Sequence, residues 1–337
     1  MRSLAATAGA ADRAKLLASR PNAEQCPDEQ ARRLGEAFVP EESLQYRLWQ
    51  LVTAVVRRLP LRASYAVAFV IGSAGYYLWP RGRKAMHHNY RRVLRDAPAA
   101  EIRRTARRSL VNYCKYLADF VRFPALSPEQ LAAAVTGDSD FRALDEALLR
   151  KRGAVIVCMH FGNWDLGAGA AAARGYPLTV VAETFADRRL DAMVVGSRTR
   201  LGMEIIKLEK AGPSLLRTLK NNGLLALLID RPRPGDGVTV NFFGEAVEVP
   251  AGPARLALRT GAMVVPAAFA RVAPNALQVT TLSDFDIRVD LEGDEAHDVQ
   301  SLTQAIMESH ERFIRQYPDQ WYMFRPMWPA RHEAKAR

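Results

Sequence analysis

Ala154-Val-Ile-Val-Cys-Met159 is an unbroken apolar run, and it delivers His160 into Phe161-Gly-Asn-Trp-Asp165. A run rich in Val and Ile, preceded by Gly153, reads as a strand buried on both faces of a parallel sheet. Leu166-Gly-Ala-Gly-Ala-Ala-Ala-Ala173 follows, small and uncharged, and reads as a closely packed helix. His160 thus stands at the carboxyl end of a strand and just before a helix, where open α/β sheets place their ligand sites. The interval from His160 to Asp165 is enough to turn the chain and bring both side chains into one crevice. A neutral imidazole can take a proton from a hydroxyl, and a neighbouring carboxylate fixes its tautomer and stabilises the imidazolium that forms. A buried histidine bonded to an aspartate, with no chemistry attached, fits the same short pattern.

Downstream the pattern alternates. Leu178–Ala182 reads as a strand, Asp187–Leu201 as a basic helix and Glu204–Lys207 as a short extended segment. Pro213–Asn221 is helical, and Leu224–Ile229 is a second buried strand, ending in Asp230. Val238–Phe243 is extended and followed by a break, then a helix over Pro253–Thr260. Ala262–Ala270 and Leu277–Leu282 read as strands, and a last helix covers Val299–Arg315. Strands alternating with helices predict an α/β fold with a mostly parallel central sheet flanked by helices. Neither an internal repeat nor a Gly-rich phosphate loop is present.

Upstream, residues 1–42 read as a flexible extension without sustained periodicity, and no secretory signal is expected there. Tyr46 to Arg58 then places Leu48, Leu51, Val52, Val55 and Val56 on one helical face. Trp49, Arg57 and Arg58 suit a bilayer interface, and a surface helix docked on a core suits the pattern as well. Ala63–Trp79 carries no charge and lies between arginines, but falls short of the ~20 apolar residues a spanning helix needs. Tyr76, Tyr77 and Trp79 cluster at one end, as interface aromatics do. A monotopic anchor is the first expectation, with a single span and a buried core helix as the others. A long helix over Glu101–Phe123 sets Ile102, Ala106, Leu110, Tyr113, Leu117 and Phe120 against a face of arginines. His87 and His88 adjoin but have no third ligand at helical spacing, so no metal is expected.

Apolar content of 49% and charge of 25% are those of an ordinary globular protein. The 47 basic and 36 acidic residues leave +11, which favours anionic partners such as nucleic acid, an anionic membrane surface or phosphorylated substrates. A nucleic-acid binder would interleave aromatics with cations on one surface; here the aromatics gather near the anchor and the site, which speaks for no nucleic acid. Three scattered cysteines form neither a disulfide framework nor a zinc set, and Cys158 reads as core.

Several blocks together carry a resemblance. They are His160–Asp165, Arg198-Thr-Arg-Leu-Gly202, Leu228-Ile-Asp-Arg231, Phe242-Phe-Gly-Glu245, Val249 to Pro266, and Tyr317-Pro-Asp-Gln-Trp321. In this order over residues 43–330 the chain resembles the bacterial lipid A biosynthesis lauroyl/myristoyl acyltransferase family, which includes the phosphatidylinositol mannoside acyltransferases. The resemblance implies a glycerolipid acyltransferase-like fold, with membrane-associating helices over 43–84, an acyltransferase domain over 85–330 and a short tail over 331–337. It implies an O-acyltransferase at the cytoplasmic face of a membrane, taking a fatty acyl chain from acyl-CoA or acyl carrier protein to a glycolipid hydroxyl, without further cofactor. His160 would be the general base and Asp165 its orienting carboxylate. Arg198 would bind phosphate or stabilise an oxyanion, Asp230 would support the site, and Asn163, Trp164 and Glu245 would wall it. Arg255, after Pro250-Ala-Gly-Pro253, would meet an anion at a helix start. Asp165 stands where many lipid A enzymes carry glutamate, and Arg231 follows Asp230 as in the mannoside group. A hydrolytic member, with water replacing the acceptor, and a non-catalytic member are the alternatives.

Overall fold

Every residue of Ala154–Cys158 is buried, and in the computed structural model this run is the centre of the protein, strand β2. The structure describes residues 44–136, 141–210, 212–231, 237–285 and 287–328. The expected extension over 1–42 and the tail over 331–337 lie outside the described residues.

In chain order the helices are α1 (Leu44–Arg58), α2 (Leu61–Leu78), α3 (Pro80–Val93), α4 (Ala99–Phe120), α5 (Pro128–Ala133), α6 (Arg142–Leu149), α7 (Trp164–Ala173), α8 (Arg188–Arg200), α9 (Gly212–Lys220), α10 (Gly252–Thr260) and α11 (Glu295–Gln316). The other strands are β1 (Val135–Thr136), β3 (Leu178–Ala182), β4 (Glu204–Lys207), β5 (Leu224–Leu228), β6 (Gly237–Phe242), β7 (Glu245–Pro250), β8 (Met263–Arg271) and β9 (Val279–Ser283). The main sheet runs β1-β9-β8-β2-β5-β3-β4 and is parallel except at β8–β9.

Alternation along the strands sorts their side chains into two cores. Val155, Val157, Leu225 and Val264 face a layer built from α3, α4, α10 and α11. Ile156, Cys158, Leu224 and Val265 face the other, with α6, α7 and the end of α4. Full burial of each such aliphatic side chain stabilises by ~1.5–3 kcal/mol. The mostly parallel sheet flanked by helices is therefore as expected.

Three differences from the sequence reading have physical causes. Glu245–Pro250 is no break but the second strand of a hairpin with β6. Phe243 and Gly244 both have positive φ, 51° and 77°, which gives the turn the twist that a tight hairpin needs. The last helix starts earlier than Val299, because Asp294 caps it by accepting from the Ala296 N–H. The single-span alternative for Ala63–Trp79 is excluded: among the described residues no helix is long and apolar enough to cross a membrane. Helix α2 instead buries Ser64, Tyr65, Ala68, Gly72 and Tyr76. At Gly72 a Cβ would come within 2.6 Å of the Val111 Cα, so α2 and α4 cross at backbone contact. The outward face of α2 keeps Val67, Val70, Ile71, Tyr77 and Leu78 exposed.

Candidate active site

Parallel pairing places Cys158 of β2 beside Leu228 of β5. Two residues further along each chain, His160 and Asp230 therefore come side by side at the carboxyl edge of the sheet. His160 Nδ1 lies 2.7 Å from Asp230 Oδ1, and the His160 backbone N–H donates to Asp230 Oδ2 at 3.0 Å. Asp230 is completely buried. Burial by itself would raise its pKa, but the charge of His160 and two hydrogen bonds from that residue outweigh it and hold Asp230 at about 2. An ionised Asp230 accepts the Nδ1 proton and leaves Nε2 with its lone pair.

Asp230, not Asp165, is thus the carboxylate on His160. Asp165 lies in the first turn of α7 and turns away from the histidine. Its oxygens accept from Arg198 Nε at 2.7 Å, from Arg198 Nη2 at 3.1 Å and from the Tyr116 hydroxyl at 2.7 Å. The cause is geometric: the backbone of 161–163 is pinned between two neighbours. Gly162 N–H donates to the Gln320 carbonyl and Asn163 N–H to the Phe269 carbonyl. Gly162 has φ +58°, and a Cβ there would fall 1.9 Å from the Phe269 oxygen, so only glycine makes this turn. Burial disfavours the Arg198 charge, but Asp165 more than compensates and raises its pKa above the ordinary arginine value. Arg198 meets Asp165 as a two-pronged pair, a brace between α8 and α7 rather than a free phosphate ligand.

Behind the histidine lies a cavity of about 350 Å³. Its mouth carries Glu183, Thr184 and Arg231, and its interior is lined by Phe141, Leu144, Ile156, Val265, Ala267 and Phe269. Helix α7 roofs it with Gly167, Ala168 and Ala171, so the small residues of that helix leave the space open over the sheet. A Cβ on Gly167 would meet the Phe269 ring at 2.2 Å, which is why the roof can sit this low. His160, Trp164, Asp165, Arg198 and Cys158 all line the same cavity. The Trp164 ring stands edge-on to His160, with centroids 5.3 Å apart, and stacks on Tyr116 at 4.1 Å.

The remaining expected site residues lie elsewhere. Asn163 is fully buried; its side chain caps α7 through the Leu166 N–H and donates to Asp119. Glu245 pairs with Arg92 on the β6–β7 hairpin at 2.7 Å. Arg255 is on α10, where Gly252, Pro253 and Leu256 line the cavity and it does not.

Sequence reading missed a buried polar cluster next to the site. Asp119 accepts from the Tyr65 hydroxyl at 2.7 Å, from Asn163 Nδ2 at 2.9 Å and from Arg271 Nη2. Two signals were present: an acid within the apolar Tyr116–Phe120 stretch of a helix, and an arginine closing an otherwise uncharged buried strand.

A family model for bacterial lipid A biosynthesis acyltransferases matches residues 39–329. A phosphatidylinositol mannoside acyltransferase of Mycolicibacterium smegmatis is 33% identical over 289 residues, 84% of this chain and 89% of that protein. Phosphatidylinositol mannoside acyltransferases of two Mycobacterium tuberculosis strains, CDC 1551 / Oshkosh and H37Rv, are each 32% identical over 285 residues, 82% of this chain and 85% of theirs. With its length matched almost throughout, the chain belongs to the bacterial lipid A biosynthesis acyltransferase family and is an acyltransferase.

Proposed function

We propose that the enzyme transfers a fatty acyl chain from an acyl thioester to a hydroxyl of a mannosylated phosphatidylinositol lipid. The observation that carries this reading is the His160–Asp230 pair at an apolar cavity. The acyl chain lies in the cavity with its thioester carbonyl beside His160. Nε2 takes the proton of the acceptor hydroxyl as the oxygen attacks that carbonyl; the C–S bond then breaks, and His160 returns the proton to the departing thiolate. No acyl-cysteine is involved. Burial first, and the Asp230 charge second, push the Cys158 thiol up to about 12, so it holds almost no thiolate at neutral pH. A thioester is already an activated donor, so the reaction needs no metal or redox cofactor. The acceptor class follows the names of the mycobacterial relatives, with a lipid A precursor as the acceptor their shared family would otherwise suggest.

The test is mass spectrometry of enzyme incubated with palmitoyl-CoA, palmitoyl carrier protein and a panel of glycolipids. The expected product is one lipid gaining one acyl chain, with His160→Ala lowering the rate by ~10²–10⁴-fold. Free fatty acid as the sole product, or an unchanged rate in His160→Ala, would overturn the reading.

The same reading places the enzyme on a membrane, at the cytoplasmic face where acyl thioesters are made. Supporting it, Leu48, Leu51 and Val55 of α1 and Val70, Ile71 and Leu78 of α2 are exposed apolar side chains, and Arg57, Arg58, Arg62, Arg81 and Arg83 border them. Paired Val70→Asp and Ile71→Asp substitutions remove two such groups, at ~1.5–3 kcal/mol for each if fully inserted. Flotation with vesicles containing phosphatidylglycerol should then fall by at least ~10-fold. Flotation equal to the parent protein would refute the docking face.

A further inference from the structure

Two arginines outside the expected site residues lie close to the His160–Asp230 pair. Arg231 follows Asp230 directly and lines the cavity mouth. Arg325 reaches the site on the other chain segment that holds the histidine: the Tyr322 N–H donates to the His160 carbonyl at 2.8 Å, and the Asn89 side chain fixes the Arg325 carbonyl at 2.8 Å. Both side chains are exposed, and neither forms an ion pair or side-chain hydrogen bond among the described residues. The nearby carboxylates do little for them. Asp230 is spent on His160, and Glu183 is an exposed single acid at the mouth. Partial burial, followed by the charge of Arg231, makes the Arg325 cation less favourable than usual, with Asp230 and Glu183 offsetting only part of the effect. Two like charges close enough to oppose each other, one of them on the cavity lining, are relieved when a multivalent oxyanion enters between them.

We propose that Arg231 and Arg325 form a phosphate-binding site that fixes one substrate beside His160. The proposal rests on the acyl-transfer reading for its choice of ligand. Phosphate oxygens can come from the nucleotide portion of a coenzyme A thioester or from the phosphodiester of the acceptor lipid. Either source would leave the reacting atoms at the histidine, since Arg231 shares its cavity and the acyl chain points inward.

The experiment is kinetics on Arg231→Gln, Arg325→Gln and the double variant with paired substrates. Donors are palmitoyl-CoA and the phosphate-free palmitoyl-N-acetylcysteamine; acceptors are a phosphatidylinositol mannoside and a phosphate-free mannosyl diacylglycerol. Loss of charge-assisted hydrogen bonds should raise KM for one phosphate-bearing substrate by ~10–100-fold and collapse its advantage over its phosphate-free counterpart. An effect on palmitoyl-CoA alone assigns the site to the donor, and an effect on the inositol lipid alone assigns it to the acceptor. Unchanged KM values, or equal losses with the phosphate-free substrates, would overturn the site. Calorimetric titration with coenzyme A and with glycerophosphoinositol keeps the two readings apart. If the parent protein transfers no acyl chain yet binds one of these, and the double variant does not, the site stands and the reaction assignment falls. If the parent binds neither, the site falls.

Discussion

Asp230→Asn is expected to fold and to lose kcat by ~10³–10⁴-fold, with KM for the acyl donor close to that of the parent enzyme. The carboxylate now accepts the Nδ1 proton of His160 at 2.7 Å and leaves Nε2 free to act as base. An asparagine can turn its NH2 group toward Nδ1, which moves the imidazole proton to Nε2 and removes the lone pair that the reaction needs. Stability should change less than rate. Holding Asp230 at about 2 rather than 3.8 corresponds to roughly 2 kcal/mol at neutral pH. Because the folded-state pKa is the lower one, that contribution is complete above pH ~4 and disappears as the pH falls toward ~2. Asp165→Asn should show the opposite balance. It leaves Arg198, 15% exposed, without its counter-charge, and breaking such a pair costs ~3–5 kcal/mol. Thermal unfolding and single-turnover rates measured on both variants separate the roles. If Asp165→Asn lost turnover at unchanged Tm while Asp230→Asn stayed active, the assignment of the two aspartates would be reversed.

The reason sequence reading paired His160 with Asp165 is instructive. Short-range spacing is visible in a sequence, and it correctly led to β2, the turn and α7. The partner of a strand is not visible in the same way. That β5 lies beside β2, with Cys158 level with Leu228, follows from the path of the crossovers, and only this register brings Asp230 to the histidine. The uncharged Leu224–Ile229 run nonetheless ended in an acid, a sign that something buried needed that charge. The apolar cavity was legible in part: Gly167, Ala168 and Ala171 announced a close-packed helix, whereas the room left over the sheet depends on how low Phe269 lets that helix sit. Glu245 and Arg255 were drawn to the site by their motif context, but the hairpin and α10 present them elsewhere. The exposed face of α1 was legible as periodicity and that of α2 only as an uncharged run; the packing of α2 on α4 was not legible, because it depends on Gly72 meeting the Val111 backbone across the interface.

Asp119→Ala should destabilise the protein by ~3–5 kcal/mol, as much as the loss of the Asp165–Arg198 pair. The carboxylate is completely buried and serves three donors on three separate elements: Tyr65 of α2, Arg271 at the end of β8, and Asn163 in the turn after His160. Truncation leaves the Arg271 guanidinium, itself 8% exposed, as a buried charge without its counter-ion, and leaves the Tyr65 hydroxyl with a donor and no acceptor carboxylate. A chain of this size converts that loss into a Tm decrease of roughly 4–7 °C. Asp119→Asn should lose less, since its amide oxygen still accepts one bond and only the charge is gone. Glu146→Ala is the fitting control: its pair with Arg150 is exposed on both sides, 44% and 39%, and should be worth under ~1 kcal/mol. Turnover should follow the same order. Asn163 caps α7 and is steadied by Asp119, so a shifted Asn163 moves the segment that carries His160. Scanning calorimetry of the three variants reads the ranking directly. Asp119→Ala melting with the Glu146→Ala control would mean that Arg271 finds water or another acceptor, and that α2 is not tied to the catalytic turn through this carboxylate.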